Sequence, residues 1–196
     1  MFKLARMHLD SVGSDAARFS GLTLDFTDDE HNPLDTIIWL RNGGGKTSLL
    51  SLLFSLFLPY RRDFLGYRED RRTLGDYVLS SDTSHVLCEW DTPSGPLVTG
   101  AVYEWPERRR PLEYEKHAGE LQTRFYAFNP KAGVLTFDER PARDEVGRRR
   151  PLDAYVRELR SLGRNHPLTN LVVANTGTEW SQALLGRGIE IGRAHV

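Results

Sequence analysis

The run LRNGGGKTSLL, residues 40–50, constrains this chain more than any other stretch. Three consecutive glycines free the backbone for a tight turn, and the Lys-Thr-Ser after them opens an apolar segment. Upstream, residues 36–40 (TIIWL) make a short β-branched apolar run of the kind found in a buried central strand. Downstream, every residue from 47 to 58 is apolar except Thr47, Ser48, Ser51 and Ser55, and those four fall on one narrow helical stripe. The pattern predicts a strand, a glycine loop, and a helix buried almost all round that Pro59 stops.

A glycine loop between strand and helix suits phosphate. Successive backbone N–H groups at a helix N-terminus point at the anion, and the helix dipole adds positive potential. Gly45 allows close approach, Lys46 is placed to reach the β- and γ-phosphates, Thr47 to ligate Mg²⁺ and Ser48 to bond the α-phosphate. The pattern G-x-x-x-x-G-K-[ST] is met except at its first position, where Leu40 stands. Leu40 lies where the strand passes into the loop, so it removes no phosphate donor, and Asn42 with Gly43 fits the variant N-G-x-G-K-[ST]. The candidate nucleotide-binding residues are therefore Asn42, Gly43, Gly44, Gly45, Lys46, Thr47 and Ser48, with ATP as the nucleotide and Thr47 as the Mg²⁺ ligand.

Elsewhere the hydropathy pattern is that of strands first and helices later. Phe2, Leu4, Met7 and Leu9, then Leu22, Leu24 and Phe26, predict two half-buried strands. HVLCEW and LVTGAVYEW flank the turn DTPSGP as a hairpin, QTRFYAF follows as a third strand, and an antiparallel sheet is expected there. LDAYVRELRSLG has helical spacing with Gly163 as its stop, LVVAN reads as a strand, and Thr176 with Glu179 forms a capping box that starts another helix. No change of composition divides residues 1–190. The last six, IGRAHV, match one reading frame of a common sequencing adapter, so 191–196 are read as an adapter-encoded tail and the natural chain is expected to continue past Glu190.

Composition narrows the setting more than the function. The net charge of −1 selects no partner, and 22 arginines against 4 lysines fits a GC-rich gene better than phosphate chemistry. A lone Cys88 excludes an internal disulfide and agrees with a reducing cytoplasm. The six histidines have no zinc-ligand spacing, and no apolar run approaches the ~20 residues of a membrane span. Arg61 and Arg62, followed by Arg68, Arg71 and Arg72, are candidate contacts to DNA phosphates. Asp63, Glu69, Asp70 and Asp76 nearly neutralise them, which equally fits a solvated surface. Neither paired carboxylates nor a Gly-x-Ser-x-Gly elbow suggests another catalytic centre.

Over roughly its first sixty residues, the order of two strands (FKLARMHLDSV, GLTLDF), a third strand, N-G-G-G-K-T and an apolar helix resembles a known family. It is similar to the N-terminal half of the ATP-binding-cassette heads of SMC (structural maintenance of chromosomes) and recombination-repair ATPases. The resemblance implies an α/β P-loop NTPase fold of ABC-ATPase head type, a mixed sheet with an antiparallel β-subdomain. It also implies ATP and Mg²⁺ at residues 42–48, DNA as a partner of the full-length protein, and a second ATPase head making a homodimer. The water-activating glutamate and the signature motif belong to a later part of such heads, so this chain alone would bind ATP without hydrolysing it. Two other readings stand beside it. One is a P-loop phosphotransferase or small NTPase, which an antiparallel hairpin after the helix disfavours. The other is a regulatory module that binds nucleotide without hydrolysis.

Overall fold

The computed structural model describes residues 2–14, 17–42, 44–57, 73–109 and 120–189. Its centre is a six-stranded sheet built from β1 (Lys3–Ser14), β2 (Ala17–Asp25), β3 (Ser84–Asp91), β4 (Leu97–Glu104), β5 (Gln122–Phe128) and β6 (Val172–Ala174). The spatial order is β2-β1-β3-β4-β5-β6, and every neighbouring pair is antiparallel.

Among the described residues three α-helices pack on the sheet: α1 (Lys46–Ser55), α2 (Leu152–Asn165) and α3 (Gly177–Leu185). They cover both faces of the sheet. On one side Val86, Cys88, Ala101, Tyr103, Phe125 and Ala127 pack with Leu49, Leu52 and Leu56 of the α1 region and with Trp180 and Leu184 of α3. On the other, Leu87, Val98, Val102, Tyr126 and Phe128 meet Leu152, Tyr155, Val156 and Leu159 of α2. Odd and even strand positions thus serve opposite cores, which is why β4 is apolar almost throughout and buried along its whole length.

The strand and helix predictions outside the glycine loop match this architecture in type, but residues 11–21, expected to join the first two strands, are largely strand themselves, since β1 runs to Ser14 and β2 starts at Ala17. Two further differences are local. In β1 the inward residues step from Leu9 to Val12, because a bulge at Asp10 and Ser11 inserts a residue and Ser11 takes a positive φ of 57°. Gly163 does not stop α2, which runs on to Asn165. A Cβ at Gly163 would lie 2.7 Å from Leu171 Cδ2, so the glycine serves close packing under the helix.

The expected fold class is overturned. A P-loop NTPase of ABC-ATPase head type has a parallel central sheet, and the sheet here is antiparallel at every pairing. Residues 36–40, predicted as the buried strand leading to the loop, form no strand, and Ile37 and Trp39 are 92% and 91% exposed. The central positions are already filled: β3 and β4 each have strands on both edges, so among the described residues the apolar run finds no vacant central slot. Nor is α1 buried all round. Its serine stripe faces the sheet and Leu50 and Phe54 face outward. Ser55 tolerates that burial because its hydroxyl donates to the Leu52 carbonyl at 2.6 Å and pairs with the Tyr103 hydroxyl at 2.8 Å. Among the described residues no helix is long and apolar enough to cross a membrane.

Candidate functional site

The glycine loop closes onto the N-terminus of α1. A tight turn forms where the Gly44 N–H donates to the Arg41 carbonyl at 3.0 Å. Gly45 then occupies the N-cap position in the left-handed region, φ 88° and ψ 13°, where an L side chain would be strained. The Gly45 carbonyl accepts the first helical bond from the Leu49 N–H at 2.8 Å. No side chain caps this end and no acidic residue stands in its first turn. The amides that open α1 therefore keep their unspent donor capacity and the positive end of the helix dipole.

Lys46 is folded back over the loop. Its Nζ donates to the carbonyl oxygens of Leu40 at 2.5 Å and Arg41 at 3.0 Å, which holds the ammonium against the backbone entering the loop. Of the predicted nucleotide-binding residues, Asn42, Gly44, Gly45, Lys46 and Thr47 come together in this single turn and helix start. Asn42, Lys46 and Thr47 are exposed, whereas Ser48 is buried. Gly43 lies outside the described residues, as do Arg61 and Arg62. Beside the segment entering the loop runs an apolar groove of about 370 Å³ lined by Phe2, Leu4, Phe26, Leu34, Thr36 and Ile38 among others.

A second cleft, about 470 Å³, opens near the same end of β1 and is lined by Arg6, His31, Glu89, Trp90 and Asp138 among others. Its arginine is already committed to Glu89 at 2.6 Å and Asp138 at 2.8 Å, with its guanidinium over the Phe137 ring at 4.3 Å. At the glycine loop, by contrast, no side chain among the described residues caps the start of α1.

Three polar arrangements carry no signal in the sequence. Arg149 reaches Asp10 through two bonds of 2.9 and 2.6 Å and Asp82 through one of 2.7 Å. Burial pushes the Asp10 carboxyl up, but the hydrogen bonds and charge of Arg149 outweigh it and hold its pKa below the ordinary value. Glu104, on β4, accepts the Leu152 N–H at 2.7 Å and so caps the start of α2 from across the core. His85 lies wholly buried between β3 and α2, its ring edge-on to Tyr155 at 4.8 Å. Residues so far apart along the chain are joined by the fold alone, and the bulge that displaces Asp10 from the strand's alternation leaves no periodic trace.

Among the described residues no group of three or more His, Cys, Asp and Glu is arranged to hold a metal ion. Comparison of the chain with protein-family models and with curated proteins finds no match.

Proposed function

We propose that the loop at residues 42–48 binds the phosphates of ATP. The observation that carries this reading is the uncapped, acid-free start of α1, with left-handed Gly45 at its N-cap and the Lys46 ammonium folded back onto the carbonyls of Leu40 and Arg41. An incoming triphosphate competes with two carbonyl oxygens for Lys46 and offers full negative charge in exchange, so the ammonium moves to phosphate. The exposed Thr47 hydroxyl is the oxygen this chain provides to a magnesium ion, which would take its remaining ligands from phosphate and water. Bound there, the ion neutralises phosphate charge. The chain's own part is to bind and orient the triphosphate.

On the N-G-G-G-K-T run it shares with SMC-like heads, though not their parallel sheet, the full-length protein is read as a cytoplasmic DNA-associated ATPase in chromosome organisation, repair or defence. The motifs that the resemblance assigns to hydrolysis are not among these 196 residues, so binding without turnover is the expected behaviour of this chain. Titration of a fluorescent ATP analogue with Mg²⁺ tests the site. Lys46→Ala removes one charge-assisted hydrogen bond to phosphate and is expected to weaken affinity by at least about tenfold. Equal affinity in the variant would remove the phosphate reading.

DNA contact through Arg61 and Arg62 belongs to the same proposal and rests on their position after α1 in the sequence. A double alanine variant is expected to bind duplex DNA with a log–log salt slope shallower by about 2, one counterion for each phosphate it leaves unneutralised. Identical slopes for variant and wild type would discard the contact.

A further inference from the structure

Residues 36–40 carry large apolar side chains that the described fold leaves open. Ile37 is 92%, Ile38 42% and Trp39 91% exposed. From Thr36 to Trp39 the side chains alternate about the groove: Thr36 and Ile38 line it beside Phe2, Leu4 and Phe26, as Asp35 does before them, while Ile37 and Trp39 stand outside it. A period of two is that of a strand. The backbone is open as well. The Leu34 N–H bonds the Phe26 carbonyl at 2.7 Å, and from 35 to 40 no backbone N–H finds a carbonyl among the described residues. A row of unspent backbone groups flanked by apolar side chains is matched by another strand, which alone supplies donors and acceptors at the same repeat.

The residues of this run are complementary to themselves. Set antiparallel about Ile38, the segment places Ile37 opposite Trp39 and Thr36 opposite Leu40 of a second copy. The same register puts Asp35 opposite Arg41 at both ends. Asp35 and Arg41 are exposed, and neither has an ion-pair partner among the described residues. A one-residue slip would break both charge pairs and set Ile37 against Ile38, on the other face.

We propose that residues 35–41 pair with the same segment of a second copy of this chain, as a two-fold antiparallel ladder closed by two Asp35–Arg41 ion pairs. Lys46 keeps the carbonyls of Leu40 and Arg41, so the ladder bonds come from residues 37–39. The pairing needs no nucleotide and stands independently of what the loop binds. Two aromatic–aliphatic cross-strand contacts and two charge pairs hold it, and the interface is small.

Sedimentation velocity without nucleotide tests it. Wild type is expected to dimerise with a dissociation constant on the order of 10 µM. Asp35→Arg and Arg41→Asp each set like charges opposite at two symmetric positions and are expected to weaken association about tenfold. The double swap, D35R with R41D, restores it. Trp39→Ser is expected to give a monomer with an unchanged circular dichroism spectrum, since the side chain it removes lies outside the core. A wild type that remains monomeric well above that concentration, a single reversal that dimerises like wild type, or a double swap that stays dissociated overturns the proposal. In the first case a strand of a different polypeptide is the better occupant.

Discussion

Trp180→Ala is expected to destabilise the chain by about 3–5 kcal/mol, lowering its melting temperature by about 10 °C or more. Trp180 is fully buried and stacks on Phe125 of β5, with ring centroids 5.4 Å apart and an interplanar angle of 12°. Its indole N–H donates to the Leu56 carbonyl at 2.6 Å. Leu56 is the C-cap residue of α1, so the indole satisfies a carbonyl at the end of the helix whose other end carries the phosphate loop. Alanine removes the stacked ring, opens a cavity between α3 and the sheet, and leaves that carbonyl unbonded. Trp180→Phe separates these effects in part, because it keeps an aromatic ring on Phe125 while losing the donor and the volume of the indole's second ring. A cost of about 1–3 kcal/mol is expected for it. Thermal and urea unfolding of both variants measure the difference. Equal stability of wild type and Trp180→Ala would mean that α3 contributes nothing to the core.

How legible this fold was in sequence depends on the range of the interaction involved. Runs of apolar, β-branched and aromatic residues around the turn DTPSGP wrote β3, β4 and β5 into the chain, and a local capping pair wrote α3, where Thr176 Oγ1 accepts the Glu179 N–H at 3.2 Å. The glycine turn was equally local, since Gly45 takes the left-handed backbone that its position next to a helix start requires. Residues 36–40 show where such reasoning stops. An apolar β-branched run reports that a segment tends to be buried and extended, but it carries no information about which strand would pair with it. The antiparallel order of the whole sheet was hidden for the same reason, because pairing partners such as Phe125 and Ala174 are set by the topology of the entire chain. The inverted α1 face is a further case. A serine stripe reads as a solvated edge unless Tyr103, far along the chain, is known to lie opposite it.

Acid is expected to unfold this chain from an unusually high pH, because His85 must be neutral where it sits. Burial is the main cause, reinforced by the Arg140 charge, and the pKa of His85 is lowered to about 3. Both of its ring nitrogens lack a hydrogen-bond partner among the described residues. The groups that act on it are Arg140 and Arg149 from the loop before α2 and His8 and Asp10 from β1, of which only Asp10 favours the proton. An unfolded histidine titrates near 6.5, so between there and about 3 the unfolded chain takes a proton that the folded chain refuses. The stability is therefore fully present above that window and is lost as pH falls through it, by on the order of 4 kcal/mol. His8 acts in the same direction, its pKa lowered to about 4 by burial and then by Arg140. Asp10 extends the loss to lower pH. Its folded pKa is depressed, so its contribution is present above the ordinary carboxylate value and disappears only as pH falls through the folded one. Urea unfolding at a series of pH values from about 7.5 to 4 measures the slope, which should approach about 1.4 kcal/mol per pH unit for each histidine. His85→Phe keeps a ring against Tyr155 and cannot take the proton, so it is expected to flatten this limb and to exceed wild type in stability at the acid end. A wild-type stability that stays constant across the window, or an unchanged slope in His85→Phe, would mean that the His85 site admits the charged ring.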